Sequence, residues 1–233
     1  MIELHGVSVA FGDGPQRRTV LDNVTVSLGE QRLGVIGANG SGKSSLARLL
    51  NGLLLPTTGT VTVDGFDTKR DGREVRRRVG FCFTDPDSQI IMPTVGEDVA
   101  FGLGRRGLSK SEIAARTAAA LEQVGLGDRA DHPAHLLSGG QKQLLALAAV
   151  LVTEPSILVL DEPTTLLDLR NSHAIAARIA QLPQQVVLVT HDLDLLETFD
   201  RVLVVHEGRI HFDGQPRAAI SAYRAVVDAE GPL

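Results

Sequence analysis

Cysteine is nearly absent from these 233 residues: Cys82 stands alone, so no internal disulfide can form. Its setting, Val79-Gly80-Phe81-Cys82-Phe83, reads as a strand with the thiol as a small buried hydrophobe. A basic excess is also missing. The net charge of −5 argues against nucleic acid as a main partner, and the run Arg76-Arg77-Arg78 reads as a solvated face. No window approaches the roughly 20 apolar residues of a membrane span; the longest apolar stretch runs from Leu144 to Val152. Met1-Ile2-Glu3-Leu4-His5 has neither the basic start nor the apolar stretch of a signal peptide. These absences predict a cytosolic protein that reaches a membrane only through a partner. The 43% apolar content suffices for a proper core.

Lysine is scarce as well, four residues against nineteen arginines, which gives weight to where Lys43 sits. It lies in Gly37-Ala38-Asn39-Gly40-Ser41-Gly42-Lys43-Ser44, after the apolar run Leu33-Gly34-Val35-Ile36 and before Ser45-Leu46-Ala47. The spacing is G-x-x-x-x-G-K-[ST] between a predicted strand and a predicted helix. Glycines let the backbone curl until successive N–H groups point inward at phosphate oxygens. Lys43 then reaches the terminal phosphates and the Ser44 hydroxyl suits Mg²⁺. The pattern predicts a nucleotide phosphate site.

Along the chain, short β segments bounded by glycine and proline (Ile2–Leu4, Val7–Val9, Val24–Leu28) predict an antiparallel piece ahead of the loop. Phe11 follows the second of them, where a ring can stack on a base. The helix from Lys43 is predicted to end near Asn51-Gly52. Helical spacing takes over from Pro86 to about Val152, with a capping box at Ser109-Lys110-Ser111-Glu112. The continuous apolar runs Ile157–Leu160, Val186–Val189 and Val202–Val205, expected to be separated by helical stretches, predict parallel strands buried on both faces. The expected architecture is a sheet with helices on both faces and a helical lobe inserted at about residues 86–150. The tail from Ser221 carries no clear signal.

Three further stretches carry chemistry. The run Ile157–Leu160 ends in Asp161-Glu162-Pro163, two carboxylates at the sheet edge where open α/β sheets bind ligands. Asp161 is placed to hold Mg²⁺, and Glu162 to polarise an attacking water. Leu137-Ser138-Gly139-Gly140-Gln141 opens a second helix with small residues, a surplus anion site that points to a nucleotide held by another subunit. His191, in Thr190-His191-Asp192, falls at the same sheet edge, and Asp168 follows Glu162 closely enough to line a subunit boundary.

Together, in this order, these residues resemble the ATP-binding subunit of an ABC transporter over nearly the whole chain. The resemblance implies an α/β fold: a P-loop NTPase of ABC type with a mixed sheet core, an N-terminal antiparallel β piece and an inserted α-helical subdomain. Residues 1–85 with 151–233 would be the RecA-like ATP-binding core, and 86–150 the helical subdomain carrying the signature. Implied cofactors are ATP and Mg²⁺. Implied ATP contacts are Phe11, Gly37, Asn39, Gly40, Ser41, Gly42, Lys43, Ser44 and Ser45, with Ser138, Gly139, Gly140, Gln141 and Asp168 across the interface of a head-to-tail dimer. Glu162 and His191 would be catalytic, and Ser44 and Asp161 would hold the metal.

A finer resemblance, to the energy-coupling-factor group that imports vitamins and transition-metal ions, rests on Val79–Gln89 and Pro93–Gly102. Biotin-importer ATPases come nearest, then cobalt or nickel importers. Gln89 matches the second glutamine at the start of that group's short helix facing the membrane subunit. The resemblance thus implies a second ATPase subunit, identical or paralogous, a transmembrane coupling subunit contacted through about residues 85–102, and a substrate-binding membrane subunit, with the chain peripheral on the cytoplasmic face. One departure is Thr84, where most of the family has a glutamine reaching toward Mg²⁺; the shorter side chain implies a metal contact through an ordered water, or a loop set closer to the metal. Non-transport relatives fit less well: no long coiled-coil insertion or tandem domain is visible, and Glu162 and His191 are both kept.

Overall fold

A computed structural model describes residues 1–230 except Arg105 and Leu166. Four strands make an antiparallel sheet in the order β2-β1-β4-β5, with β1 at Ile2–Phe11, β2 at Arg18–Leu28, β4 at Thr58–Val63 and β5 at Phe66–Asp67. The two short segments read at the N-terminus are one ten-residue strand, β1. Its register slips between Leu4 and Val7, where Gly6 takes a φ of 57°. A one-residue slip puts Ile2 and Leu4, then Val7 and Val9, on the same buried face.

The second sheet runs β10-β9-β3-β8-β7-β6. Its parallel members are β3 (Arg32–Ile36), β6 (Val79–Cys82), β7 (Ile157–Asp161), β8 (Gln185–Val189) and β9 (Arg201–His206). β10 (Arg209–Gly214) folds back antiparallel through Glu207-Gly208, both at positive φ as a two-residue hairpin loop requires. Alternate residues serve two cores. Val35, Val159, Val187, Val189 and Leu203 pack toward the antiparallel sheet and α1 (Lys43–Leu49). Leu158, Leu160, Val186, Leu188, Val202 and Val204 face the other way. There they share a core with residues of α5 (Gly139–Leu151), α6 (Leu169–Ala180) and α7 (Pro216–Glu230).

A third core joins α3 (Val95–Phe101), α4 (Lys110–Val124) and α5 through Val95, Val99, Leu121, Val124, Leu145 and Ala148. Helix α5 therefore buries two faces: Leu147 and Leu151 toward the sheet, Leu145 and Ala148 toward α3 and α4. That is why Leu144–Val152 is continuously apolar. Among the described residues no helix is long and apolar enough to cross a membrane.

Some elements differ from the sequence reading. The unpromising tail is the amphipathic helix α7, packed on β9 and β10. The arginine run closes a short helix, α2 (Gly72–Arg78), and Arg78 lies over the Phe66 ring at 4.0 Å. Strands β8 and β9 are linked by a 3-10 turn, Asp194–Leu196, without an α-helix.

Parallel pairing aligns the strand ends that matter. Val35 and Asp161 both stand opposite Val189. The chain segments leaving β3, β7 and β8 therefore emerge side by side at one edge.

Candidate nucleotide site

The segment leaving β3 is the glycine loop. Gly37 has a φ of 154°, and a β-carbon there would run into the Val205 carbonyl. Gly42 caps α1 at a φ of 109°, with the Val20 carbonyl 2.8 Å from where its β-carbon would sit. Only glycine meets both the dihedral and the space at these positions. Lys43 is 6% exposed and curls back over its own loop, its ammonium donating to the carbonyls of Gly37 at 2.8 Å and Ala38 at 2.9 Å. Burial pulls its pKa below the usual lysine value, and the nearby Glu162 and Asp161 carboxylates oppose that shift.

Asp161 ends β7 with 1% exposure, and the Ser44 hydroxyl donates to its Oδ1 at 3.0 Å. Burial pushes this carboxyl above the ordinary aspartate range, with the Ser44 hydrogen bond partly offsetting it. Glu162 follows in the left-handed region at a φ of 55°, its N–H bonded to the Val189 carbonyl at 2.9 Å. That conformation costs about 1 kcal/mol for a residue with a β-carbon. It delivers the carboxylate to two partners, Thr165 Oγ1 at 2.6 Å and His191 Nδ1 at 2.5 Å. Residues 43, 44, 161, 162 and 191 are thus gathered under one loop.

Thr84 joins from the neighbouring strand end, but its hydroxyl donates to the Asp161 main-chain carbonyl at 2.8 Å. The bond ties the end of β6 to β7. Gln89 also turns inward. Its Oε1 accepts from the Phe83 N–H at 3.2 Å and its Nε2 donates to the Ala146 carbonyl at 3.0 Å, linking the end of β6 to α5.

The other predicted residues lie apart from this cluster. Ser138 and Gln141 satisfy each other in a capping box at the start of α5. Gly140 is buried against Asn171, whose Cγ would stand 2.8 Å from an added β-carbon. Asp168 caps α6 by accepting from the Asn171 N–H at 2.8 Å. Phe11, at the end of β1, and Gly139 are exposed, and Asn39, Gly40 and Ser45 complete the loop and its helix. Sequence reasoning missed Thr165 and Asn171. The spacing Asp168-x-x-Asn171, an acidic cap three residues before its donor, is the signal for the latter.

The loop fits a polyphosphate on its own evidence. Ser41 Oγ is buried and has no hydrogen-bond partner among the described residues. Such a hydroxyl costs about 1–3 kcal/mol unless a ligand oxygen meets it. Ser44 Oγ and the Asp161 carboxylate form a pair of hard oxygen donors of the kind that hold Mg²⁺ alongside substrate phosphates.

Known proteins resemble this chain over most of its length. The ABC transporter family profile matches residues 21–165. The biotin transport ATP-binding protein BioM of Rhizobium etli is 49% identical over 225 residues, 97% of this chain and 98% of that protein. The energy-coupling factor transporter ATP-binding protein EcfA1 of Symbiobacterium thermophilum is 45% identical over 93% of this chain and 79% of its own length. Among solved structures, the dimeric post-hydrolysis state of the ATP-binding cassette MJ0796, bound to ADP and Pi, superposes with a TM-score of 0.82. It is 29% identical and covers 93% of this chain and 99% of that one. The chain belongs to the ABC transporter family, as an ATP-binding protein of its energy-coupling-factor group.

Proposed function

We propose that this chain hydrolyses ATP to power import by an energy-coupling-factor transporter, with biotin as the cargo. The observation that carries the reading is the convergence of Lys43, Ser44, Asp161, Glu162 and His191 beneath one glycine loop. The biotin assignment leans on the likeness to BioM; cobalt or nickel import by the same machinery is the alternative reading.

In this mechanism the loop N–H groups and Lys43 hold the triphosphate, and Phe11 stacks on the adenine. Incoming phosphate oxygens would replace the Gly37 and Ala38 carbonyls as partners of the ammonium. Ser44 and Asp161 would hold one Mg²⁺, which neutralises phosphate charge; Thr84, one main-chain carbonyl away, would act through an ordered water. Glu162 polarises the attacking water while His191 and Thr165 fix its carboxylate. Both partners meet the same oxygen, Oε2, so water would face a base already oriented.

Ser138, Gly139, Gly140 and Gln141, with Asp168, would complete the site from a second subunit, identical or paralogous, in a head-to-tail dimer. Two copies would close around ATP and part when the γ-phosphate leaves. Opening and closing would pass through residues 85–102 to a transmembrane coupling subunit and its substrate-binding partner, at the cytoplasmic face. The inward bonds of Gln89 make that segment move with α5. In this scheme the helical unit spans about 86–150, hinged on the core formed by 1–85 and 151–233.

The test is uptake by vesicles carrying the membrane proteins that co-purify with this chain. ATP-dependent biotin accumulation, abolished by Glu162→Gln, is the expected result. Cobalt or nickel accumulation without biotin would move the cargo to the alternative, and no ATP-dependent uptake at all would overturn the transport reading.

A further inference from the structure

Helix α6 touches the helices of the third core near both of its ends. Near its start, Asn171 closes on Gly140 at the tip of α5, where an added β-carbon would stand 2.8 Å from the Asn171 Cγ. Near its finish, Arg178 donates from Nη1 to the Gln123 carbonyl of α4 at 2.5 Å. Its Nη2 lies 2.9 Å from where a β-carbon of Gly125 would stand, so the guanidinium rests against the left-handed cap of α4. Asn171 and Arg178 are seven residues apart, just short of two turns, and therefore share one face of α6.

The two contacts differ in kind. The first is steric and leaves no room. The second is polar: the Gln123 carbonyl belongs to the last turn of α4, where carbonyls lack an amide further along and the helix dipole is negative. The amides of Gly125 and Leu126 turn back to Glu122 and Leu121, which leaves the Gln123 carbonyl to Arg178. Beside the guanidinium a cavity of about 130 Å³ separates Val124 of α4, Leu147 and Leu151 of α5, and Gln181 and Leu182 beyond α6. Interlocking side chains therefore do not fix α4 against α6 at this joint, and a charge-assisted hydrogen bond spans it.

We propose that Arg178 is a positioning residue, a latch that sets the angle at which α3, α4 and α5 sit on α6, and so the direction in which α5 presents Ser138. That Ser138 then meets another subunit's nucleotide rests on the dimer reading above; the latch itself does not.

The experiment has one arm for each statement. In the first, the full chain carries spin labels at Ala119→Cys on α4 and Ala218→Cys on α7, both exposed positions, while Cys82 is buried and stays unlabelled. Pulsed electron paramagnetic resonance reads the distance between the labels without nucleotide. Arg178→Ala should broaden the distance distribution about twofold. Arg178→Lys, which keeps a charged donor, should largely restore it, and His173→Ala, exposed on the same helix, should leave it unchanged. In the second arm, carried in Glu162→Gln, Arg178→Ala should weaken ATP-dependent dimerisation about tenfold with monomer nucleotide affinity unaltered.

An unchanged distribution in Arg178→Ala, no recovery with lysine, or equal broadening in His173→Ala would overturn the latch. Monomer affinity falling as far as dimerisation would do the same, because it marks a general folding defect. Broadening with dimerisation as tight as before would sever the link to Ser138. If Glu162→Gln with Arg178 intact forms no ATP-dependent dimer, the head-to-tail reading fails, and the label distances alone decide the latch.

Discussion

Two helix starts in this molecule look alike in sequence, at Gly42 and at Ser138, yet their polar groups are satisfied in opposite ways. Around the first, side chains far apart in sequence reach one another: Ser44 with Asp161, Glu162 with His191. A buried hydroxyl, Ser41, has no partner among the described residues, and a buried ammonium makes do with carbonyls. Around the second, Ser138 and Gln141 bond each other, and Asp168 and Asn171 bond each other. On the reading proposed here the first is a site held in tension for a ligand. The second is a self-sufficient surface, which in that scheme would join a site only when another subunit's nucleotide is laid on it.

The sharpest way to break this contrast is Glu162→Gln. Hydrolysis should fall about a thousandfold while ATP still binds, and the dimer should tighten. Single-turnover phosphate release with size-exclusion chromatography reads both effects; wild-type turnover would remove Glu162 as the base.

Next in size is Lys43→Ala, expected to weaken nucleotide binding by about 2 kcal/mol in an equilibrium titration. Unaltered affinity would mean that the loop is not the phosphate cradle.

Asp161→Asn tests the tension itself. Burial holds the folded-state pKa of Asp161 above its unfolded value, so the folded state retains this proton more tightly. The stability it confers is present below the unfolded aspartate pKa and is lost as pH rises through the raised one. At neutral pH the buried charge is a cost, and Asp161→Asn should stabilise the nucleotide-free protein by on the order of 1 kcal/mol in thermal unfolding while removing Mg²⁺-dependent ATP affinity. The same shift makes wild-type Mg²⁺ affinity fail earlier on acidification than an ordinary aspartate would. A destabilised Asp161→Asn would contradict this.

The smallest effect, about 1 kcal/mol of helix stability, belongs to Ser138→Ala. It sharpens the comparison through a second readout: nucleotide affinity of the monomer should stay the same while ATP-dependent dimerisation weakens. A loss of monomer affinity would place Ser138 in the first site instead.

Much of this was legible beforehand, and the reasons are specific. Lys43 and Ser44 sit in a loop whose glycine spacing is itself the signal, and Asp161 ends an apolar run too short for a helix. The buried strands β7, β8 and β9 announced themselves as continuous β-branched and leucine runs, because a strand covered on both faces has no polar side to show. By contrast α7 went unread because its apolar face is interrupted by alanines and serine, and helicity there depends on packing against β9 and β10. Strand β1 was split in two because the bulge at Gly6 shifts its alternation by one residue. Thr165 carries no motif; its importance lies in being 2.6 Å from Glu162.

Residue order was enough to name the chemistry, because phosphate, magnesium and water each demand particular atoms at particular spacings along a strand and its loop. It could not say which of those atoms were already bonded. That Thr84 leans on the Asp161 carbonyl and that Gln89 turns inward toward α5 both depend on contacts between distant parts of the chain. Such contacts arise from how the sheet and α5 pack together, and no local spacing encodes them.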